Sequence, residues 1–121
     1  VTKTTSFFQA ELSEAGGGAQ ISYDGDDDLA QATGFQHISD AVGNDNDANT
    51  NGFLTLFNPA STTFVKHFIA QGSGMYASNY IIPAYSAGYG NTTSAVNAIR
   101  FQFNSGAIAS GKIKLYGIKD S

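Results

Sequence analysis

The sequence predicts an all-β fold: one antiparallel β-sandwich domain over residues 1–121, resembling a jelly roll and built from about eight short strands. Several short stretches alternate apolar and polar side chains with period two, which is typical of strands with one covered face. Clusters of Gly, Asn, Asp and Ser separate these stretches. No amphipathic helical pattern lies between them, so an antiparallel arrangement is favoured over alternating strands and helices.

The composition agrees with this class. Only 13% of the residues are charged, whereas 14 are Gly and 9 are Phe, a balance poor in helix formers and rich in turn formers and strand-favouring aromatics. The absence of cysteine removes disulfides, cysteine zinc sites and thiolate chemistry. No apolar run reaches the length of about 18 residues that a membrane span needs, and the N-terminus has no apolar leader, so we expect a soluble protein without a signal peptide.

The clearest strand pattern lies near the C-terminus. Apolar and polar side chains alternate over residues 97–104 and again over residues 112–116, with a Ser- and Gly-rich turn between them. The apolar members are Ile99, Phe101, Phe103, Ile113 and Leu115. We expect these two stretches to form an amphipathic hairpin that anchors the core.

The N-terminal part predicts three strands. Residues 4–10 predict a first strand with Phe7 and Phe8 on opposite faces, or, within residues 1–10, an arm that packs on a neighbour. Residues 20–23 predict a short second strand. Residues 34–42 predict a third, although their alternation is poor.

The middle of the chain predicts a second hairpin. Residues 53–57 carry apolar side chains on both faces, which suits the interior of a sandwich, and residues 62–70 return beside them. Residues 71–74 predict a break. Residues 76–89 contain Pro83 and therefore predict an edge strand or an ordered loop.

Charge is low and unevenly distributed. The net charge is −4, which argues against nucleic acid as a partner, and the low charge density indicates that a partner covers part of the surface. No Lys or Arg lies between Lys3 and Lys66, whereas the later half is mainly basic. This asymmetry fits contacts between copies of the protein, or loops of opposite sign on one domain.

The acidic loops raise the question of calcium. Residues 47–52 match the opening of an EF-hand loop, but Asn58 stands where the closing glutamate belongs and the intervening residues predict a strand. Solvated loops are therefore favoured, and a calcium site of another kind is the alternative. Its candidate ligands are Asp24, Asp26, Asp27, Asp28, Asp45 and Asp47. His37 and His67 lack a second ligand at a metal-binding spacing and predict structural histidines rather than a metal site.

No stretch predicts catalysis or a bound cofactor. Residues 106–112 fit the first seven positions of a phosphate-binding loop, but Ile113 stands where that motif needs Ser or Thr, so a β-turn is favoured. Glu11 and Glu14 flank a glycine loop without any sign of the cleft that a glycosidase pair requires. We therefore expect a non-enzymatic protein.

Aromatic side chains supply the candidate interface. Tyrosines cluster with Gly and Ser between residues 76 and 89, a mixture that suits a protein interface, a cap on the core or a platform for sugar stacking. Together with the two N-terminal phenylalanines, the interface candidates are Phe7, Phe8, Tyr76, Tyr80, Tyr85 and Tyr89.

A resemblance to a known class rests on residues 58–69, 87–93 and 98–118. Its most specific part is the closing series Ser105-Gly106, Ile108-Ala109-Ser110-Gly111 and Leu115-Tyr116-Gly117-Ile118. Over residues 52–119 the chain resembles small virion structural proteins of tailed bacteriophages. That resemblance implies a β-sandwich module that decorates a capsid or ends a tail fibre, often as a trimer, with no enzymatic residues to carry over.

Two functions follow as expectations. The first is a capsid decoration or cement protein in the virion, a homotrimer whose partners are its own copies, the major capsid protein or other virion proteins. The absence of a fibrous repeat ahead of the sandwich favours this function. The alternative is the receptor- or carbohydrate-binding tip of a tail fibre, using residues 76–89 and the acidic loops to bind a host glycan. We expect neither a membrane nor a nucleic acid as a partner in either function.

Overall fold

The computed structural model describes residues 1–77 and 79–119. Within them lie five strands: β1 Lys3–Ser13, β2 Gln20–Tyr23, β3 Thr50–Leu56, β4 Lys66–Tyr76 and β5 Tyr80–Gly90. They pair antiparallel in a single sheet of order β2-β1-β5-β4-β3. The all-β prediction is therefore confirmed, whereas a sandwich of about eight strands is not. The described residues include no helix that could cross a membrane.

β1 and β2 lie where the sequence predicts strands. β1 extends the predicted stretch at both ends, and β2 has the predicted bounds. Phe7 is fully buried and Phe8 is 44% exposed, so the two phenylalanines do point to opposite faces of the sheet. Alternation along a strand thus predicts burial correctly here, because successive side chains leave opposite sides of the backbone.

The hairpin of β3 and β4 is also present, but its second strand begins at Lys66 rather than at residue 62. β4 also runs through residues 71–74, where the sequence predicts a break. The two glycines in that stretch mark a close approach of backbone rather than a turn. A Cβ atom added to Gly72 would collide with the backbone oxygen of Ile38, and one added to Gly74 would lie 2.8 Å from the oxygen of Ala41. Glycine therefore lets another segment of the chain lie directly against the strand.

β5 lies at the centre of the sheet, between β1 and β4, so the prediction of an edge strand or loop for residues 76–89 is wrong. The amide of Glu14 donates to the carbonyl oxygen of Asn79, just before β5, so the backbone of Asn79 faces β1. Because backbone N–H and C=O groups alternate sides from one residue to the next, the odd-numbered residues of β5 also face β1. The missing N–H of Pro83 therefore faces β1. The β1–β5 pairing lapses opposite Pro83, between Gln9 and Leu12, and this gap accommodates the proline inside the sheet.

One face of the sheet, called here the covered face, is protected by residues 24–49, the covering segment. The buried apolar side chains of the covered face are Phe7, Phe68, Ala70, Ile82 and Ala84. The covering segment contains no strand, so the predicted strand at residues 34–42 is wrong. Its peptide groups bond to the sheet instead: Leu29 accepts from the amide of Thr5 at 2.9 Å, and Gly43 donates to Met75 at 2.8 Å. These bonds attach the covering segment to the strands without forming a further ladder.

A buried lysine closes one end of this core. Lys66 is only 2% exposed, and its Nζ donates to the carbonyl oxygens of Phe64 at 2.6 Å and Thr92 at 3.2 Å. The side chain therefore joins the start of β4 to the segment that follows β5.

The predicted C-terminal hairpin is absent from the described residues. Residues 97–119, called here the C-terminal arm, form no strand, and every one of them is exposed. Leu115 and Ile118 are 91% and 94% exposed. An amphipathic stretch becomes a strand only when a neighbouring strand accepts its hydrogen bonds and an apolar surface covers its side chains. This chain supplies neither to its own arm.

Candidate interaction surface on the open face of the sheet

The sheet has a second face that no segment of the described chain covers. We call it the open face; its larger side chains come from alternate positions on all five strands. They are Phe8, Leu12, Ile21, Tyr23, Phe53, His67, Ile69, Gln71, Met75, Ile81, Pro83, Tyr85 and Tyr89. The set contains no Asp, Glu, Lys or Arg. Monomeric proteins rarely expose a continuous uncharged apolar surface of this extent, so the open face is the candidate interaction surface.

Aromatic rings form a row across the middle of this face. Cross-strand register places Tyr23, Phe8, Tyr85, Gln71 and Phe53 side by side, one from each strand. The rings of Phe8 and Tyr85 stack with centroids 5.1 Å apart and planes inclined by 11°. Gln71 donates its side-chain amide to the Tyr85 hydroxyl at 3.2 Å. The stack and the hydrogen bond therefore fix the three central side chains of the row relative to one another.

The same row borders a shallow depression of about 210 Å³, with Phe8, Phe53, Ile69 and Tyr85 among its walls. Small-molecule pockets usually enclose about 300–1,000 Å³. The depression is smaller, opens to solvent and has no charged side chain in its lining. It suits an inserted side chain or a flat ring better than an enclosed ligand.

The exposed area is large for a chain of this size. The solvent-accessible surface is 8515 Å². A compact monomer of 12.7 kDa exposes about 6,200 Å², so the excess is about 2,300 Å². A standard protein–protein interface buries about 800 Å² on each partner. The surplus is therefore enough for more than one such interface per chain.

The predicted interface residues divide between the core, the open face and the hairpin end. Phe7 belongs to the core and is not accessible to a partner. Phe8, Tyr85 and Tyr89 lie on the open face, where the Tyr89 ring also contacts His67 at a centroid distance of 5.7 Å. The other two candidates, Tyr76 and Tyr80, pair with each other where β4 meets β5 and do not belong to the open face. The structure thus brings together three of the six candidates.

Sequence reasoning missed much of the open face. Phe53 is 61% exposed, Ile69 52% and Ile21 81%, yet none was a predicted interface residue. One signal was available in β3, where residues 53–57 are apolar on both faces. That pattern indicates two contacts, but it does not say whether the second contact comes from the same chain or from another.

Most of the described acidic residues belong to the covering segment, and one of them, Asp28, reaches Tyr23 at the edge of the open face. The Oδ1 atom of Asp27 lies 2.6 Å from Nδ1 of His37, so the carboxylate and the imidazole are in direct contact. Burial raises the pKa of Asp27, an effect that His37 only partly opposes. Asp28 accepts a 2.5 Å hydrogen bond from the hydroxyl of Tyr23, which raises the pKa of that tyrosine.

Calcium binding by the acidic loops remains a prediction. Asp24 accepts from the amide of Asp26 at 3.1 Å, and Asp45 and Asp47 belong to a separate turn before β3. Among residues 1–77 and 79–119, no three His, Asp or Glu side chains are grouped so as to hold a metal ion.

The chain was also compared with known proteins. No family model, no curated protein and no solved structure matches it. The open face is therefore the feature on which a function must be argued.

Proposed function

We propose that the chain is a non-enzymatic structural protein of a tailed-bacteriophage virion, where it associates with copies of itself and decorates and stabilises the capsid. The observation that carries the proposal is the open face: an uncharged apolar surface that spans all five strands and stays accessible in the isolated chain. Burial of such a surface is the main driving force of stable association. The virion setting rests on the sequence resemblance described above.

The chemistry of the open face supports a protein partner. Its central row combines aromatic rings with a glutamine, residue types that pack closely and carry little charge. The cores of interfaces share this composition, whereas charged residues concentrate at the rims. A decoration protein would repeat this contact many times on one particle, so that modest individual contacts add to firm attachment.

Self-association can be tested with the isolated protein. We expect light scattering to give a mass of several chains, most simply three, at micromolar concentration. Phe53→Lys should reduce that mass, because it places a charge in the aromatic row. Phe64→Lys is the matched control: Phe64 is 69% exposed, close to the 61% of Phe53, but lies in the connection between β3 and β4. A wild-type chain that remains a monomer, or equal effects of the two substitutions, would contradict the proposal.

The virion role requires a second experiment. Heads of the encoding phage that lack this protein should bind the purified chain in a sedimentation assay and then withstand higher temperature before releasing DNA. Phe53→Lys should bind less and protect less than Phe64→Lys. Heads that neither bind nor gain stability would argue against capsid decoration, even for a protein that self-associates.

The second candidate is a receptor- or glycan-binding tip of a tail fibre. The aromatic row favours it, because exposed rings such as those of Tyr23 and Phe53 can stack on sugars. Binding of the isolated protein to host cells or to a glycan array, reduced by Tyr85→Ala, would support this function. Absence of binding to both, combined with attachment to heads, would leave decoration as the better explanation.

A further inference from the structure

We infer that the C-terminal arm of one copy packs on the open face of a neighbouring copy. The inference rests on the proposed self-association and specifies which parts of the chain meet. Its first support is the exposure of the arm. Within the described residues, none after Val96 makes a backbone hydrogen bond. Ile113, Leu115 and Ile118 are 68%, 91% and 94% exposed, so the arm presents apolar side chains without a partner of its own.

The pattern of the arm fits an apolar sheet face. Apolar side chains alternate with polar ones over residues 97–104 and 112–116. An extended backbone therefore directs the large aliphatic and phenyl side chains of each stretch to one side of it; they are Ile99, Phe101 and Phe103 in the first and Ile113 and Leu115 in the second. Gly106, between the two stretches, has a φ of 74°, a conformation that favours a turn and lets the arm fold back on itself. Two such strands laid on the open face would form the second layer that the single sheet lacks.

Charge favours contact between an arm and a body. Residues 1–93, the body, contain two lysines and nine carboxylates, a net charge of −7, whereas residues 94–119 contain four cations and no carboxylate, a net charge of +4. The four cations, Arg100, Lys112, Lys114 and Lys119, are all exposed. Opposite charges on the two regions attract the arm of one copy to the body of the next, while bodies repel bodies and arms repel arms.

The start of the arm indicates that a neighbour, rather than the same copy, accepts it. The amide of Val96 donates to the oxygen of Pro59 at 2.8 Å, and the guanidinium of Arg100 lies 5.4 Å from the centre of the Phe35 ring. Phe35 belongs to the covering segment, on the side of the sheet opposite the open face. The arm therefore leaves the body on the wrong side to reach its own open face directly.

The areas agree with an exchange of arms. Each copy would donate one arm and receive another, so each chain would take part in two contacts. Two standard contacts bury roughly 1,600 Å² of one chain's surface, and the surplus surface of about 2,300 Å² exceeds that area. Contacts of this head-to-tail kind close into rings when the rotation between copies permits.

Two variants separate the halves of the contact. The arm variant Ile113→Lys/Leu115→Lys alters side chains that the body does not cover, and the face variant Phe53→Lys/Ile69→Lys alters two half-exposed positions of the open face. We expect each variant alone to associate about 10- to 100-fold more weakly than the wild type. Tyr116→Lys is the arm control, since Tyr116 is 78% exposed and alternates with Leu115, so it points away from the docked side. It should associate like the wild type.

Mixing the two variants gives the sharpest result. The face variant keeps an intact arm and the arm variant keeps an intact face, so an equimolar mixture should form a 1:1 complex by light scattering, although neither variant forms large complexes alone. Circular dichroism of each variant checks that it is folded.

Different outcomes separate this inference from the proposed function. If the arm variant associates like the wild type, or if the folded variants fail to complement each other, the arm is not the occupant, although self-association would stand. If the wild type stays a monomer while the amides of residues 112–118 resist deuterium exchange, the arm covers its own body, and both the inference and the proposed self-association are wrong.

Discussion

The two adjacent phenylalanines of β1 provide a direct test of which face of the sheet is covered within one chain. Phe7 is fully buried, so Phe7→Ala should lower the free energy of unfolding by about 3–5 kcal/mol, the usual cost of removing a buried ring. Small domains have total stabilities of about 5–15 kcal/mol, so this loss is roughly a third to a half of a mid-range value.

Phe8→Ala should cost less. Its ring is 44% exposed, so just over half of its area is buried and contributes about 1–1.5 kcal/mol. Losing the stack on Tyr85 adds about 0.5–1.5 kcal/mol, so the total loss is about 1.5–3 kcal/mol.

Urea unfolding followed by circular dichroism, at a concentration where light scattering shows a monomer, measures both losses. At higher concentration, where the wild type associates, Phe8→Ala should also weaken association. If Phe8→Ala destabilises the monomer as much as Phe7→Ala, both faces are covered within one chain, and the reasoning from an open face fails.

Three further predictions concern the covered side. Gly72→Ala should destabilise the protein by about 1–3 kcal/mol, because its Cβ displaces the covering segment, whereas Gly117→Ala should be close to neutral, since nothing lies within 4 Å; thermal unfolding distinguishes them. Lys66→Met should cost about 1–3 kcal/mol in urea unfolding, because two carbonyl oxygens lose their donor; unchanged stability would contradict the bonds described. Burial raises the pKa of Asp27 in the folded state, so the ionised carboxylate destabilises the fold above that pKa. Asp27→Asn should therefore raise the free energy of unfolding at neutral pH, and the gain should shrink as the pH falls through the folded-state pKa. A gain in stability that is larger at low pH than at neutral pH would contradict the raised pKa.

The sequence predicted those parts of the fold in which local alternation decides burial. β1 and β2 follow from period-two patterns, and the opposite orientations of Phe7 and Phe8 follow from the same rule. β3 and the first part of β4 follow instead from short runs of strand-favouring residues on either side of a turn. Gly72 and Pro83 misled the prediction, because each normally interrupts a strand. Here the glycine admits the covering segment and the proline faces a gap in the β1–β5 pairing, arrangements that depend on residues far away in sequence.

The C-terminal arm shows a deeper limit. The pattern around Phe101 and Leu115 indicates that one side of the backbone needs cover, but a pattern carries no information about which molecule provides it. The candidate interface was predicted in part for the same reason. Aromatic content drew attention to Phe8 and Tyr85, whereas Phe53 and Ile69 resembled ordinary core residues until the sheet placed them on an uncovered face.

The gap opposite Pro83 affects how the sheet comes apart. It divides the β1–β5 pairing into a long portion from Lys3 to Gln9 and a short one at Leu12 and Ser13. The short portion can separate from β5 without disturbing the long one, because no ladder bonds connect them across the interruption. Transient fraying of the β1–β5 pairing should therefore begin at Leu12 and Ser13, while the pairing from Lys3 to Gln9 stays intact.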